Sequence, residues 1–402
     1  MNTNWVSSLL GDVINLKRGY DLPKRKRVGG SIPIVSSSGI SGTHNEAKVS
    51  GPGVITGRYG TLGEVFYVTS DFWPLNTTLY VQDFKGNDER FISYFLRTLG
   101  FENRNAAGAV PGVNRNHLHK LEVETPPVPE QRKIASILSA YDDLIENNTR
   151  RIAILEEMAQ AVYREWFVNF KFPGHENAKF VESDLGRIPD GWECSLLSDL
   201  GFVGRGKSRH RPRNAPELYD GPYPLFQTGD IKAASTFLVQ HRQTYSEAGL
   251  AQSKLWEPGT LCITIAANIA DTAILSKRSC FPDSVVGFVP KSEVVCVYFV
   301  KLYLDSIKRQ MENVSKGTTQ DNLSLDKLLR FKVPMPRKQT MAAFDEAVTP
   351  MFNQVLSLIR RNNNLRATRD LLLPKLISGK LNVEDLDIGT GVDKEQLLEA
   401  TA

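Results

Sequence analysis

Two long stretches of the chain carry apolar residues at the seven-residue spacing of a helix seam. The first runs from Glu130 to Phe170 without a Gly or Pro, and the second follows Pro336. A stripe only two positions wide favours two long helices that pair with each other. An amphipathic helix that lies on its own globular domain is the alternative. The seam positions are Ile134, Leu138, Tyr141, Ile145, Asn148, Ile152, Leu155, Ala159, Val162 and Trp166 in the first stretch, and Phe344, Val348, Met351, Val355, Leu358, Asn362, Leu365, Arg369, Leu372 and Leu376 in the second.

The two seams match each other if the helices run antiparallel. In such a pair the numbers of contacting residues have a constant sum, and a sum of about 510 sets apolar against apolar positions. It places Ile145 opposite Leu365, Ile152 opposite Leu358 and Tyr141 opposite Arg369. Asn148 then faces Asn362, so that the two amides can satisfy one another and penalise slipped registers. Two hydrated Asn side chains at the edge of the seam are the alternative.

Each helical stretch follows a region of short β-like runs rich in Gly and Pro, and the two regions share one plan. Trp5-x-x-Ser8-Leu9-Leu10-x-Asp12 recurs as Trp192-x-x-Ser195-Leu196-Leu197-x-Asp199, and Arg18-Gly19 recurs as Arg205-Gly206. We therefore predict an α+β protein with two mixed α/β domains in pseudo-twofold tandem, separated by two long helices packed as an antiparallel coiled coil. The predicted segments are 1–129 for the first domain, 130–172 for the first helical region, 173–336 for the second domain with its linker, 337–386 for the second helical region and 387–402 for a polar tail.

Composition indicates an ordinary folded protein without a membrane segment. Hydrophobic residues make up 41% and charged residues 23% of 402 residues, which excludes a disordered or collagen-like chain. The longest apolar run, 294–300, is far too short to span a bilayer, and the first twenty residues lack the pattern of a secretory signal. The 4 cysteines form no CxxC pair. We therefore expect buried thiols and a cytoplasmic location.

Motifs that would support catalysis fail on inspection. Residues 201–208 match the P-loop pattern, but Pro212 and Pro216 follow where that loop needs a helix. The Asn-Pro-Pro-Tyr or Asp-Pro-Pro-Tyr motif of adenine-N6 methyltransferases is absent, and the 6 histidines are scattered. We predict no catalytic residue, no metal site and no cofactor.

Positive charge recurs at equivalent places in the two copies. Two loops with Gly or Pro are strongly basic, which favours contact with nucleic acid phosphates over an ordinary solvated face. Arg, Asn, Gln and Thr in other loops are side chains that read base edges. The predicted phosphate contacts are Arg18, Lys24, Arg25, Arg27, Arg205, Lys207, Arg209, Arg211 and Arg213, and the further DNA-binding candidates are Arg58, Tyr59, Asn114, Arg115, Gln227, Thr228, Thr318 and Gln320.

The whole plan resembles the specificity subunit of type I restriction–modification enzymes. The resemblance rests on the repeated Trp–Asp motif, on 56–63, on 126–134, on 155–167, on 227–231 and on 369–381. It implies two target recognition domains that each read one half of a bipartite site on double-stranded DNA. It also implies helical regions that bind two methyltransferase (M) subunits, to which motor-nuclease (R) subunits add. Because the two domains differ outside their landmarks, the two half-sites should differ.

One departure from the family pattern concerns Arg58. The second copy has Thr264-Ile265-Ala266-Ala267-Asn268 where the first has the loop Gly57-Arg58-Tyr59-Gly60. A role of Arg58 therefore does not carry over to the second domain. Two other functions stay open, a self-sufficient nucleotide-binding or methyltransferase enzyme and a coiled-coil scaffold with incidental basic loops.

Overall fold

The computed structural model describes residues 4–101, 112–291, 293–315 and 323–388. The chain divides into two compact units. The first unit is Met1–Ile145 with Asn364–Ala402, and the second unit is Glu146–Asn363. The boundary falls within both long helices, so each unit holds one β-rich region and a part of each helix.

The first unit is built from short strands, three small helices and parts of the long helices. Its elements are β1 Val6–Leu9, α1 Leu10–Val13, β2 Asn15–Arg18, a 3₁₀ turn Lys24–Lys26, β3 Ile32–Ser36, β4 Gly39–His44, β5 Gly53–Gly57, β6 Val65–Val68, β7 Trp73–Pro74, β8 Thr78–Asp83, α2 Glu89–Arg97, α3 Arg115–Leu118, β9 Glu122–Thr125 and the start of α4 Val128–Tyr163.

The second unit repeats this series with additions. It has the rest of α4, a π-helical turn Arg164–Val168, a 3₁₀ turn His175–Asn177, β10 Phe180–Ser183, β11 Gly186–Pro189, β12 Glu193–Leu196, α5 Leu197–Leu200, β13 Gly201–Arg205, a 3₁₀ turn Pro216–Leu218, β14 Tyr219–Leu225, α6 Thr228–Ala233, β15 Phe237–Leu238, β16 Gln243–Tyr245, α7 Glu247–Ala251, β17 Leu255–Trp256, β18 Leu261–Thr264, β19 Thr272–Leu275, β20 Ser279–Cys280, β21 Val285–Pro290, α8 Val297–Ser306, α9 Lys308–Ser315, α10 Leu325–Leu329, β22 Lys332–Met335 and α11 Lys338–Ile377, which ends in the first unit.

The sheets of the two units have the same strand order. The main sheet runs β2-β8-β5-β6 in the first unit and β13-β21-β18-β19 in the second, where β15 adds an edge strand. In the second sheet of each unit an antiparallel pair, β3 with β4 or β14 with β16, is extended by a two-residue strand, β7 or β20, that runs parallel to β3 or β14. A third pairing, β1 with β9 or β12 with β22, joins the start of each copy to its Pro-rich end. The internal repeat predicted from sequence is thus a repeat of topology.

The repeated Arg-Gly pair marks one close approach of the backbone in both copies. A Cβ atom on Gly19 would lie 2.1 Å from the carbonyl oxygen of Leu75, and one on Gly206 would lie 2.3 Å from that of Phe281. Only glycine fits at such a distance. The recurrence of Arg-Gly therefore has a steric cause in its second residue.

In the second unit the two long helices run antiparallel. Asn148 Nδ2 donates a hydrogen bond to Asn362 Oδ1 at 2.9 Å, and the rings of Trp166 and Phe344 pack with centroids 5.9 Å apart. Both pairs are those expected from the heptad register. Asn362 also donates to Thr149 Oγ1 at 3.3 Å. Buried apolar residues flank the amides, among them Ile152, Val355 and Leu358.

In the first unit the two long helices also run antiparallel, but one ionic contact differs from the pair expected from the heptad register. Arg369 forms an ion pair with Asp142, whereas the heptad register sets it opposite Tyr141. A carboxylate one position along offers a charge-assisted hydrogen bond, which is stronger than stacking on a ring. Tyr94 also donates to Asp142 at 2.5 Å. Burial acts to raise the pKa of Asp142, but the hydrogen bonds from Tyr94 and Arg369 outweigh it and lower the pKa.

The P-loop match at 201–208 is a strand and a loop. Gly201–Arg205 is β13, paired with β21, and the residues after it form no helix before the 3₁₀ turn at Pro216. The loop therefore lacks the row of helix N–H groups that binds phosphates in P-loop proteins.

The cysteines are free thiols, as expected, but only Cys262 and Cys280 are fully buried, while Cys194 and Cys296 are partly exposed. Among the residues described above, no helix has the length and apolar character required to cross a lipid bilayer.

Candidate nucleic-acid interface

The first unit brings several of the predicted DNA contacts onto one continuous surface. Arg18 at the end of β2 binds Asp21 at 3.3 Å, and Asn76 also donates to Asp21. The neighbour of Asn76, Thr77, accepts a hydrogen bond from the backbone N–H of Arg58 at 2.8 Å. The carbonyl of Arg58 in turn accepts from the N–H of Val113 at 2.9 Å, directly before Asn114 and Arg115. Residues far apart in sequence thus form one edge.

Arg58 and Tyr59 form a preorganised pair on this edge. The guanidinium carbon of Arg58 lies 4.5 Å from the centre of the Tyr59 ring, and Nη2 lies 3.3 Å from the Tyr59 hydroxyl. The Tyr59 side chain is 41% exposed and leans on Gly112, where a Cβ atom would lie 2.5 Å from the ring. Stacking limits the freedom of the guanidinium and leaves its fork available for a bidentate contact.

The other predicted DNA contacts of the first unit differ in how exposed their side chains are. Lys24 and Arg25 are exposed on the 3₁₀ turn, whereas Arg27 is half-buried and donates to the carbonyl of Ser41 at 3.3 Å. Asn114 caps α3, because its side chain accepts from the N–H of Asn116 at 2.9 Å. Arg115 is exposed in the first turn of α3. Of these residues, Lys24, Arg25 and Arg115 present their charge at the surface.

The basic loop of the second unit is partly neutralised by an acid that lies far away in sequence. Arg213 forms an ion pair with Asp283 at 3.2 Å, and Arg205 Nε donates to the backbone carbonyl of Asp283 at 3.1 Å. The sequence stretch from Arg205 to Arg213 contains no acid, but the fold supplies one. The effective charge of the loop is therefore lower than its sequence indicates.

The remaining basic side chains of this loop divide into two kinds. Arg211 Nη1 donates to the carbonyls of Ser208 and His210 at 2.9 and 2.7 Å, which stabilises the loop itself. Lys207 and Arg209 are exposed, and the backbone N–H of Arg209 is fixed by Gln252 at 2.7 Å. We therefore identify Lys207 and Arg209 as the side chains of this loop most available for a phosphate.

Gln227 and Thr228 lie at the start of α6 beside a second polar strand. The N–H of Gln227 donates to the Asp230 carboxylate at 2.8 Å, and Gln227 Nε2 donates to Gln243 Oε1 at 3.3 Å. Both Gln227 and Thr228 are partly exposed. The helix cap fixes the backbone of Gln227, while the long amide side chain stays at the surface.

Backbone hydrogen bonds identify the counterpart of Arg58 in the second unit. Ile265 donates to the carbonyl of Ser284 at 3.0 Å and accepts from the N–H of Leu323 at 3.0 Å, just as Arg58 does with Thr77 and Val113. Ile265 is buried, with 2% of its surface exposed. The second unit therefore has no arginine at the position of Arg58. By the same correspondence, Asp283 is the counterpart of Asn76 in the second unit.

Sequence reasoning missed Asp283 and one aromatic site. Lys254 Nζ lies 3.7 Å from the centre of the Trp256 ring and 4.7 Å from that of Phe202, and Phe202 is 55% exposed. Burial and the charge of Lys207 lower the pKa of Lys254. The repeat contained a signal for Asp283. This residue comes directly after the landmark Phe281-Pro282, and in the first copy Leu75 and Asn76 come directly after the matching Trp73-Pro74. Lys254 and Phe202 have no such landmark.

Two predicted contacts, Thr318 and Gln320, lie outside the described residues. Within the described ranges, no group of three or more His, Cys, Asp or Glu side chains is arranged to hold a metal ion.

Comparison with known proteins agrees with the internal repeat. The family model of the type I restriction modification DNA specificity domain matches residues 2–157 and 189–361. The specificity subunit of the type I restriction enzyme HindI from Haemophilus influenzae is 25% identical over 334 residues, which cover 68% of this chain and 72% of that protein. The MjaVIII specificity subunit from Methanocaldococcus jannaschii is 22% identical over 343 residues, 81% of this chain and 78% of that protein.

A solved structure shares the fold. The crystal structure of the S subunit of a type I restriction–modification system from M. genitalium has a TM-score of 0.63 with 17% identity, and the match covers 93% of this chain and 96% of that one. The two segments matched by the family model fall on the two copies and together make up most of the sequence. The chain therefore belongs to the family of type I restriction–modification DNA specificity proteins.

Proposed function

We propose that the chain reads a bipartite DNA site, one half with each unit, as the non-catalytic specificity subunit of a type I restriction–modification complex. The observation that carries the proposal is a repeated topology with different residues at equivalent positions, half-buried Arg58 in one unit and buried Ile265 in the other. Two readers with one fold and different side chains select two different half-sites, and the target is asymmetric.

The exposed basic side chains supply the sequence-independent part of binding. The side chains placed to contact phosphates are the exposed Lys24, Arg25, Lys207 and Arg209. Each such contact releases counterions from the DNA and so adds to the affinity. Base preference comes from partly exposed side chains with a fixed backbone, such as Arg58 and Gln227.

The chemistry of modification and cleavage belongs to partner subunits in this proposal. Two methyltransferase subunits bind at the helical regions, and motor-nuclease subunits add to them, in the cytoplasm. The partner subunits then bind S-adenosylmethionine, ATP and metal, and this chain positions the DNA for the partner subunits. The structure of 201–208 supports this division, since Gly201–Arg205 is a strand and no helix follows the motif before the 3₁₀ turn at Pro216.

Three titrations of the purified chain test the proposal. Duplex DNA should bind with an affinity that falls steeply with salt, whereas ATP and S-adenosylmethionine should not bind. Binding of either small molecule would favour a self-sufficient enzyme, and a log-affinity slope near zero would favour a scaffold. Mapping of modified adenines in the source genome, with and without this gene, gives the target sequence.

A further inference from the structure

The second unit contains a positively charged cleft beside its long helix, apart from the basic loop described above. The cleft has a volume of about 630 Å³ and is lined by residues 237–242 of the β15–β16 connection, by Lys277, and by Ile359 and Asn363 of α11. One wall of the cleft is thus formed by the β15–β16 region and Lys277, and the other wall by α11.

Basic side chains converge in this cleft. Lys277 Nζ donates to His241 Nδ1 at 2.9 Å, and Arg242 is 86% exposed at the rim. Burial, and then the positive charge of Arg360 on α11, lower the pKa of Lys277. Burial and then Lys277 likewise lower the pKa of His241, against the opposing charge of Asp230. Like charges held together in this way favour an anion between them.

Acidic side chains do not balance the cleft. Asp230 is its one lining carboxylate among the described residues, and it serves as the N-terminal cap of α6 through the N–H of Gln227. Arg242 is 86% exposed and approaches Asp230, which is 14% exposed, only to 3.8 Å. Lys277 and Arg242 both line the cleft and together exceed the single charge of Asp230, so the lining is net positive.

The cleft is continuous with the proposed DNA-reading edge. Gln243, next to Arg242, accepts the hydrogen bond from Gln227 at 3.3 Å. A duplex that lies along Gln227 would thus pass the mouth of the cleft. Phosphate is the anion that such a duplex offers at regular spacing.

We propose that this cleft binds the DNA backbone next to the half-site read by the second unit, with Lys277 and Arg242 as phosphate contacts. The bound backbone then lies beside α11, which lines the other wall of the cleft through Ile359 and Asn363. This inference rests on the proposed function, because it takes DNA as the ligand of the second unit.

A matched pair of variants tests the inference in the full chain. Lys277→Ala with Arg242→Ala removes two positive charges that line the cleft, and Lys179→Ala with Arg309→Ala removes two exposed charges that do not line it. The cleft variant should flatten the dependence of log affinity on log salt by about 0.9 for each phosphate that it no longer neutralises, up to about 1.8. The control should keep the slope of the unmodified protein. An unchanged slope in the cleft variant would overturn the inference.

A second measurement uses the unmodified protein and does not depend on the folding of a variant. Duplexes carry uncharged methylphosphonate linkages at successive positions on either side of the half-site. A loss of affinity confined to neighbouring linkages on one side of the half-site supports the inference. Equal affinity for all the duplexes contradicts it.

The outcomes separate the two proposals. If the unmodified protein shows no salt-dependent binding to DNA, the proposed function fails. If it binds DNA normally and the cleft variant binds equally well, only the cleft assignment fails. A variant that loses methyltransferase subunits but keeps its DNA slope would assign the cleft to an acidic protein surface and would overturn the inference.

Discussion

Asn148 donates a hydrogen bond to Asn362 across the seam of the two long helices, at 2.9 Å, and both side chains are buried. The pair is flanked by apolar seam residues such as Ile152 and Leu358. A register slipped by seven residues in either direction would separate the two amides and set one of them against Val355 or Leu155. The hydrogen bond therefore specifies the alignment of the helices more than it adds to their stability.

This relationship predicts a non-additive pair of substitutions. Asn148→Leu or Asn362→Leu alone should destabilise the protein by about 1–3 kcal/mol, because the remaining buried amide loses the hydrogen bond that joins the two. The double Leu variant should lose less than the sum of the two, since no orphaned amide is left. Denaturant unfolding of the four proteins measures the coupling, and strictly additive losses would show that the amides act independently.

A second prediction concerns the charge of the basic loop in the second unit. Asp283→Asn should strengthen binding to all DNA sequences and steepen the salt slope, by about 0.9 if Arg213 then binds one phosphate. Arg209→Ala should weaken binding to all DNA sequences and flatten the salt slope. The exposed Glu193 in β12, which pairs with β22 and not with the basic loop, offers a control, Glu193→Gln, which changes the charge by the same amount. Asp283 would have no neutralising role if the two acid variants behaved alike.

A third prediction separates reading of bases from binding of phosphates at Arg58. Arg58→Lys keeps the charge but loses the planar fork, so preference at one base pair of one half-site should relax by about 1–3 kcal/mol if the contact is bidentate to guanine. The affinity for unrelated DNA and its salt slope should stay as they are. Competition binding against single-base variants of the site measures this. A uniform loss across all sequences would make Arg58 a phosphate contact.

A fourth prediction treats the helices as a spacer. Insertion of seven residues in both α4 and α11 keeps the seam in register and lengthens each helix by about 10 Å, at about 1.5 Å per residue. The unread gap between the half-sites should lengthen, or binding should be abolished. Selection of bound sequences from a random duplex pool gives the gap. An unaltered gap would argue against the helices as the ruler.

Much of the architecture was predictable from the sequence because it rests on local periodicity and on repetition. The seam of the helices shows as a seven-residue spacing, and the register follows from matching Asn148 with Asn362. The Arg-Gly repeat was visible as well, and the structure explains Gly19 and Gly206 by backbone crowding.

The charge of the site was less predictable because ion pairs join residues that are distant in sequence. Asp283 reaches Arg213 only through the pairing of β13 with β21, and Asp142 takes Arg369 because it lies one position from the expected partner. The counterpart of Arg58 was uncertain for a similar reason. Backbone hydrogen bonds, and not residue identity, equate it with Ile265.

The most direct test of two independent readers is an exchange of one reading unit. Residues from about Trp192 to Val333 are replaced by the corresponding segment of another family member with a known target, and the modified adenines are mapped in cells that supply the methyltransferase subunits. We expect one half-site to change to that of the donor while the other half-site stays the same. A simultaneous change of both half-sites would contradict the proposal that each unit reads its own half.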